Sequence, residues 1–382
     1  MTGVTVLQVL PAMGAGGGVE RGTVEIADAI VKQGGRALVA SNGGANVHEL
    51  KRVGAEHIQM PVHSKNPLVM YANIGRLESL IRKEGVRIVH ARSRAPAWSA
   101  YGAVRRTGVA FVTTFHGTYA AGNALKRKYN SVMTKGERVI AISRFIAGHL
   151  HQLYGAPSEK IRTIHRGVNL DRFDPVLVTA ERVTVLAHDW RLEDGLPVIM
   201  LPGRLTRWKG QTLLIEAVAK MERRDFRCLL VGGDQGREEY RRELERLVSG
   251  HGLGEIVRIV DHCDDMPAAY MLSDVVVSAS TEPEAFGRVL VEAQALGRPV
   301  VASDHGGARE TVVVGETGWL FPPNDSDALA DTLTRVLEVP AETRHAMAGR
   351  AIKHVRENFS KQGMCDKTLG VYREVLDEKA SG

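Results

Sequence analysis

The sequence predicts an α/β protein with two doubly wound domains, each built on a parallel sheet. Its 382 residues exceed the size at which one hydrophobic core usually stops growing. Short β-branched runs alternate with segments of helical periodicity and fall into two successive series. The first series of expected strands covers residues 4–9, 87–90, 111–115 and 139–142, and the second covers 197–201, 227–231, 257–260, 275–277 and 299–302. One architecture is therefore expected twice along the chain.

The domain organisation follows from the same pattern. We expect a first domain over residues 1–180 and a second over residues 181–359, with a polar, irregular stretch at 169–195 between the two series of strands. The last segment, 360–382, carries apolar residues at helical spacing. We expect this segment to cross back and complete the first domain.

Bulk composition limits the partners and the compartment. The formal net charge of +6 at pH 7 favours anionic partners such as nucleotides, phosphorylated lipids or a bilayer surface. The scattered cysteines Cys228, Cys263 and Cys365 lack CxxC spacing, which predicts neither a disulfide framework nor a zinc site and favours a reducing cytoplasm. No secretory signal is evident, and no apolar run approaches the roughly 20 residues that span a bilayer. Any membrane contact is therefore expected to be peripheral.

A glycine-rich segment at residues 13–18 follows the first expected strand, and Val19 opens a helix. Such a segment either makes a tight turn or lets backbone amides approach a phosphate or sugar at the helix N-terminus. A dinucleotide site is disfavoured, because Val19 occupies the third glycine position of G-x-G-x-x-G and the next strand ends in Ser41 and Asn42 without an acid for the ribose.

In the second domain, Arg204 and Lys209 lie between an expected strand and the helix after it. That position is the carboxyl edge of the sheet, where ligands of open α/β sheets bind. An arginine can hold a phosphate bidentately, and a lysine near a helix start adds a compact charge. The pair suits a diphosphate, whereas the alternative is solvated surface charge.

Two acids follow the apolar strand that ends near residue 278, and they stand eight positions apart, at Glu284 and Glu292. On one helix they would be about 12 Å apart along the axis, whereas a retaining glycosidase pair needs about 5–5.5 Å. We therefore expect Glu284 in the loop before a helix and Glu292 about two turns inside it. The amides near that helix start would form a surface for anionic oxygens. They belong to Phe286, Gly287, Arg288 and Val289.

This pattern of Glu284 and Glu292, preceded by Gly203, Arg204 and Lys209, resembles the retaining GT-B glycosyltransferases of family 4. The resemblance extends along nearly the whole chain, through residues 16–18, 115–117, 141–143 and 166–169. It implies two Rossmann-like domains that face each other across a cleft. One departure is that many members read Asn-Gly-Val-Asp where this chain has Arg-Gly-Val-Asn at 166–169.

The resemblance implies a role for each matching residue. Arg204 and Lys209 would bind the donor diphosphate, Glu292 the ribose hydroxyls, and Glu284 the transferred sugar. His116 would hydrogen-bond that sugar near the reacting carbon, although a packed strand-end histidine is the alternative. Gly17 and Gly18 would border the leaving phosphate. No metal and no cofactor is expected besides the nucleotide-sugar co-substrate, because the cations can replace a metal and no Asp-x-Asp motif follows a strand.

Between residues 82 and 144 the only acids are Glu84 and Glu137. The basic residues of this region are Arg82, Lys83, Arg87, Arg92, Arg94, Arg105, Arg106, Lys126, Arg127, Lys128, Lys135, Arg138 and Arg144. This bias indicates a solvated face, an anionic acceptor or a membrane, and no nucleic-acid-binding motif accompanies it.

The acceptor is therefore expected to be a saccharide or a lipid-linked glycan such as lipopolysaccharide core. The protein is expected in the cytoplasm, with peripheral contact to the inner face of the membrane. An amphipathic helix is expected to make that contact through one apolar face. The face comprises Leu125, Tyr129, Val132 and Met133.

Two other classes of protein remain compatible with these residues. One is a nucleotide-sugar epimerase on the same fold, and the other is a non-catalytic protein that binds nucleotide sugars. Neither explains a basic face on the acceptor side.

Overall fold

A computed structural model describes residues 1–14, 17–119 and 122–381. The chain divides into two compact units, of which the first comprises Met1–Arg166 with Lys361–Gly382 and the second comprises Gly167–Ser360. This division falls after Arg166, earlier than the boundary after residue 180 that the sequence indicated.

The first unit is built on a parallel sheet with seven strands among its described residues. The strands are β1 (Thr5–Val9), β2 (Arg36–Ser41), β3 (Glu56–Gln59), β4 (Val86–Ala91), β5 (Ala110–Phe115), β6 (Arg138–Ala141) and β7 (Ile161–Thr163). The helices between them are α1 (Gly18–Lys32), α2 (Val47–Arg52), α3 (Pro67–Lys83), α4 (Arg94–Thr107), α5 (Ala124–Asn130) and α6 (Arg144–Tyr154), with short 3₁₀ turns at Ser131–Thr134 and Ser158–Lys160. The strand order is β3-β2-β1-β4-β5-β6-β7.

The second unit repeats the design with a six-stranded parallel sheet in its described part. Its strands are β8 (Val198–Pro202), β9 (Arg227–Val231), β10 (Val257–Val260), β11 (Val275–Ser278), β12 (Val300–Ser303) and β13 (Gly318–Phe321). Its helices are α7 (Ala180–Asp189), α8 (Gln211–Lys220), α9 (Glu238–Gly250), α10 (Met266–Leu272), α11 (Arg288–Ala295), α12 (Ala308–Thr311), α13 (Ser326–Leu337) and α14 (Ala341–Asn358), with 3₁₀ turns at Pro175–Leu177 and Arg207–Lys209. The strand order is β10-β9-β8-β11-β12-β13.

These sheets confirm the predicted α/β fold of two doubly wound domains. Central strands such as β1, β5, β8 and β11 are buried at every residue, because helices cover both faces of a parallel sheet. Their sequences are mostly apolar, although β1 also buries Gln8 and β5 buries Thr113 and Thr114. The sequence did not predict β3, β7 and β13, which lie at sheet edges. No residue of β3 or β7 is buried, and β13 is buried only at Gly318 and Phe321, so all three lack the continuous buried run that identifies a strand.

The strand order creates one switch point in each sheet. In the first unit, β1 pairs with both β2 and β4, and the chain leaves β1 toward β2 but leaves β4 toward β5 on the other side. In the second unit, β8 and β11 are related in the same way. Ligands of open α/β sheets bind at the carboxyl ends of such strand pairs. The segments after β1, β4, β8 and β11 are therefore where a site is expected.

The last helix, α15 (Lys361–Ser381), packs in the first unit against α1, β4, β5 and β6. Its Tyr372 is fully buried, and the hydroxyl lies 2.7 Å from Nδ1 of His90 on β4. Glu374 accepts a hydrogen bond of 2.8 Å from Nε of Arg138.

In the described part of the chain, no helix has both the length and the apolar character needed to cross a membrane.

Candidate functional site

The loops after β8 and β11 meet at the switch point of the second unit. Gly210 has a φ of +75°, and a Cβ added there would lie 1.8 Å from the carbonyl oxygen of Ala279. Only glycine therefore fits between the two loops. The amide of Thr281 also donates a 2.8 Å hydrogen bond to the carbonyl of Trp208. These backbone contacts hold the predicted cations beside the predicted acid.

Lys209 and Glu284 form the centre of this meeting point. Nζ of Lys209 lies 2.7 Å from Oε1 of Glu284, and the two side chains are each 13% exposed. The hydroxyls of Ser280 and Ser278 donate to the same Oε1 at 2.5 Å and 3.3 Å. The ammonium also lies 4.5 Å from the ring centroid of Trp208, at the distance of a cation–π contact. Oε2 of Glu284 receives no hydrogen bond from the described residues and remains accessible to a ligand hydroxyl.

Electrostatics keep Glu284 ionised. Burial alone would raise the pKa of this carboxyl group, but the charge of Lys209 and the hydrogen bonds from Lys209, Ser280 and Ser278 lower it below its ordinary value of 4.5. The charged form is therefore stabilised by specific donors despite its desolvation.

Arg204 is the second predicted cation of this site, and its environment differs from that of Lys209. Its side chain is exposed, and it forms no ion pair or side-chain hydrogen bond with the described part of the chain. Its carbonyl accepts a 3.0 Å hydrogen bond from Nε2 of Gln211, which fixes the backbone. The guanidinium is therefore available to an anionic ligand, whereas Lys209 is already paired.

The segment from Glu284 to α11 is held by a glycine pair that follows β12. The amide of Gly307 donates a 2.8 Å hydrogen bond to the carbonyl of Glu284. A Cβ at Gly306 or Gly307 would lie 2.4 Å from backbone atoms of Glu284 or Phe286. Phe286 is buried, and Gly287 caps α11 with a φ of +83°. The first amides of α11, including those of Arg288 and Val289, have no intrahelical acceptor.

Glu292 lies inside α11 and is 8% exposed. The hydroxyl of Tyr270 donates to Oε2 at 3.1 Å, and Nε of Arg288 lies 3.3 Å from Oε1. These partners of Glu292 differ from those of Glu284, which are Lys209, Ser280 and Ser278. The sequence did not identify Tyr270, Ser278 or Ser280. Only the serines had a signal, namely their position between a strand end and Glu284.

In the first unit, charged side chains converge on the glycine loop after β1. Gly17 precedes α1 and Gly18 begins it, while Gly16 lies outside the described residues. A Cβ at Gly17 would meet the carboxylate of Glu20. Arg166 donates a hydrogen bond to the carbonyl of Gly18.

His116 directly follows β5. Its Nε2 is buried and has no hydrogen-bond partner among the described residues. Burial holds the pKa of the imidazole well below its ordinary value of 6.5, and the charges of Arg166 and Arg92 lower it further. His116 is therefore neutral.

The sequence analysis includes Arg92 only as part of the basic region. An arginine directly after a strand at the switch point is a more specific signal of a ligand-binding position.

The predicted membrane-facing stripe of Leu125, Tyr129, Val132 and Met133 does not form a single helical face, so that prediction is wrong. Leu125 is 79% exposed, but Val132 and Met133 are fully buried. The helix α5 ends at Asn130, and a 3₁₀ turn follows. Because a 3₁₀ helix has fewer residues per turn than an α-helix, Val132 and Met133 point into the core of the domain. The remaining exposed apolar side chains of this unit include Leu68 and Tyr71 on α3.

Two family models match the chain. The one described as Glycosyltransferase Family 4 matches residues 16–172, and the one described as Glycosyl transferases group 1 matches residues 186–354. Among the described residues, no group of three or more histidine, cysteine, aspartate or glutamate side chains is placed to hold a metal ion.

Curated relatives include two bacterial enzymes. D-inositol 3-phosphate glycosyltransferase 1 of Catenulispora acidiphila is 32% identical over 65% of this chain, and the match spans 60% of that relative's length. D-inositol 3-phosphate glycosyltransferase of Frankia alni is 30% identical over 77% of this chain and 75% of its own length.

Solved structures show the same architecture. A glycosyltransferase from Rickettsia africae is 39% identical, with a TM-score of 0.91 over 98% of this chain and 99% of its own. Two more distant structures share the fold. Anabaena HepE in complex with UDP-glucose is 22% identical, with a TM-score of 0.84 over 97% of this chain and 99% of its own. WaaG, a glycosyltransferase involved in lipopolysaccharide biosynthesis, is 17% identical, with a TM-score of 0.75 over 96% of this chain and 99% of its own.

Proposed function

The chain belongs to the GT-B glycosyltransferases of family 4, and from that premise we propose that it transfers a sugar from a nucleotide-diphosphate donor to a saccharide or glycolipid acceptor, with retention at the anomeric carbon. The observation that carries the proposal is the group formed at one switch point by the exposed cation Arg204 and the buried pair Lys209–Glu284.

The donor is proposed to bind to the second unit. Arg204 would grip the diphosphate bidentately and Lys209 would add a fixed charge beside it. The amides of Phe286, Gly287, Arg288 and Val289 at the start of α11 would face the phosphate oxygens. Glu292, held by Tyr270 and Arg288, would accept hydrogen bonds from the ribose hydroxyls. The complex of HepE with UDP-glucose supports a nucleotide sugar as the class of donor.

The proposed chemistry needs no metal ion, because fixed cations and helix amides stabilise the charge that develops on the leaving phosphate. The bond between the anomeric carbon and the phosphate oxygen breaks, and the sugar becomes oxocarbenium-like. The acceptor hydroxyl attacks from the face that the phosphate leaves, and a donor phosphate oxygen takes its proton. Glu284 would accept a hydrogen bond from the sugar through Oε2.

The acceptor is proposed to bind to the first unit. Gly17 and Gly18 would border the leaving phosphate, and neutral His116 would hydrogen-bond the sugar near the reacting carbon. The basic bias of this unit supports an anionic glycan, and the likeness to WaaG in fold supports a cell-envelope glycan such as lipopolysaccharide core. The unpaired thiols of Cys228, Cys263 and Cys365 support a cytoplasmic setting.

We also propose peripheral contact with an anionic membrane through α5. Lys126, Arg127 and Lys128 are exposed on this helix together with Leu125. Exposed cations attract anionic headgroups, and an exposed leucine can enter the interface. The proposed surface, which we call the α5 surface, consists of these four residues and excludes the buried Val132 and Met133.

The test of the function is incubation with labelled nucleotide sugars, with and without a membrane extract. A transferase moves label to the extract only when acceptor is present. An epimerase would change or release the sugar without acceptor, and a binding protein would leave the donor intact with every acceptor. Either of the last two results would overturn the proposal. A thermal-shift screen of nucleotide sugars selects the donor beforehand, because a ligand of the folded state raises its apparent stability.

A further inference from the structure

Arg92 is a buried cation that forms no ion pair with the described residues. It directly follows β4 at the switch point of the first unit and is 3% exposed. Its Nη1 donates a 3.1 Å hydrogen bond to the amide oxygen of Gln8, which is neutral. Within the described residues, no carboxylate lies within ion-pair distance of Arg92, and its buried Nε has no acceptor. Buried donors normally have an acceptor, so Nε of Arg92 calls for one that the described residues do not supply.

A small cavity lies beside Arg92. A space of about 10 Å³ is lined by Arg92, Arg166, His90 and Thr114 together with apolar side chains. That volume holds about one oxygen atom or water molecule. Both ring nitrogens of His90 are already engaged, by Tyr372 and Thr114 at 2.7 Å each. His90 therefore does not complete the hydrogen bonding of Arg92.

The two carboxylates whose charges act on Arg92 lie on α1. Glu25 and Glu20 attract Arg92 and oppose the fall in its pKa that burial causes, but neither forms an ion pair with it. Nε2 of His116 is a second buried nitrogen without a described partner. Arg166 and Arg92 both act on His116 electrostatically. Two cations and an uncharged histidine therefore face the same carboxyl edge of the first sheet.

We propose that Arg92, together with Arg166, forms a subsite for one anionic group, a phosphate or a carboxylate, carried by the acceptor. One oxygen of the group would occupy the cavity and accept the hydrogen bond from Nε of Arg92. A planar guanidinium matches the geometry of both groups. The subsite stands on the geometry of the first unit, and only its assignment to an acceptor rests on the proposed function.

The binding test uses the wild-type chain. Titration with methyl phosphate or acetate is followed by ¹H–¹⁵N NMR of arginine Nε–H groups, and the Arg92 signal is assigned by its loss in Arg92→Lys. We expect a saturable shift of this signal that persists in Arg204→Ala, where the donor site is weakened. Arg52, exposed on α2 and paired with Glu49 at 3.0 Å, is the control and should show no saturable shift. An Arg92 signal unmoved by both probes at millimolar concentration would mean that the residue is structural.

Transfer kinetics test the assignment to the acceptor. We expect Arg92→Gln to raise the acceptor KM at least tenfold while leaving the donor KM unchanged, and phosphatase treatment of the acceptor to have a similar effect if the anion is a phosphate monoester. Separate assays on the lipid and aqueous fractions of the extract distinguish a lipid-linked from a free acceptor. If methyl phosphate or acetate binds saturably but the protein transfers no sugar from any donor, the proposed function is overturned and the anion site is retained. Transfer with an unchanged acceptor KM in folded Arg92→Gln would overturn the assignment to the acceptor.

Discussion

Lys209 and Glu284 form an ion pair of 2.7 Å although each side chain is only 13% exposed. Ser280 and Ser278 donate to the same carboxylate oxygen, and the ring of Trp208 lies against the ammonium. The pair joins the loop after β8 to the loop after β11, so it is a structural link as well as part of the candidate site.

We expect Lys209→Ala and Glu284→Ala each to lower the free energy of unfolding by about 3 kcal/mol, because removing one partner leaves the other buried charge uncompensated. The double variant should lose clearly less than the sum of the two single losses. Urea unfolding of the four proteins measures this coupling. Additive losses would show that the pair contributes nothing as a pair.

A second prediction concerns Arg204, which is exposed and unpaired among the described residues. We expect Arg204→Ala to fold normally and to reduce donor turnover about a hundredfold, because losing a donor to the charge that develops in the transition state costs roughly 2.7–4 kcal/mol. The matched control is Arg207→Ala, which removes a neighbouring guanidinium bonded to Glu243 on α9 and should retain activity. A folded Arg204→Ala variant with unchanged kinetics would remove the diphosphate assignment.

The sequence indicates where a side chain lies best when position along a strand determines position in space. Residues that follow parallel strands reach the same sheet edge, so the spacing was enough to expect Lys209 and Glu284 at one edge, and the two side chains lie 2.7 Å apart. Spacing does not specify which side chain bonds to which. Two features therefore were not predicted, because they depend on contacts between distant segments. One is the pairing of Lys209 with Glu284, and the other is the burial of Arg92 without an acceptor for its Nε among the described residues.

The prediction for Val132 and Met133 failed for a different reason. The apolar spacing continues past Asn130, but the chain changes there from an α-helix to a 3₁₀ turn. Periodicity shows which residues share a face only while the helix continues. The apolar residues beyond that change belong to the core.

Retention without a metal ion is the third prediction. Because Arg204, Lys209 and the amides of α11 would carry the charge of the leaving phosphate, we expect transfer to be unaffected by EDTA. The anomeric coupling of the product, read by NMR against that of the donor, should show the same configuration. An inverted product would refute the mechanism even with robust transfer, and loss of activity in EDTA that Mg²⁺ restores would refute its metal independence.

The fourth prediction is that His116 stays neutral over the range in which ordinary histidines titrate. Its pKa is held well below 6.5 by burial and by the charges of Arg166 and Arg92, so its ring signals should not shift between about pH 5 and 8. His188 is the internal control, because its hydrogen bond with Glu193 raises its pKa above 6.5 and it should titrate. Ring NMR with His116→Gln for assignment makes the measurement. Titration of His116 near its ordinary value would contradict the burial of Nε2.

The last prediction concerns the α5 surface, formed by Leu125, Lys126, Arg127 and Lys128. Each cation beside anionic lipid is worth about 1 kcal/mol, and salt screens this attraction. We therefore expect co-sedimentation with anionic vesicles, weaker binding at high salt, and little binding to neutral vesicles. Substitution of Lys126, Arg127 and Lys128 by glutamate should abolish binding.

A matched control keeps the charge change constant. Substituting Arg237, Arg242 and Arg246 by glutamate alters three exposed cations of the second unit by the same amount and should leave vesicle binding intact. Circular dichroism and thermal unfolding confirm that both triple variants remain folded. If the wild type ignores anionic vesicles at low salt, or if the α5 variant binds as well as the wild type, the α5 surface is not the docking site. A soluble acceptor then becomes the better proposal, because the excess of basic residues in the first unit would bind an anionic ligand rather than a bilayer.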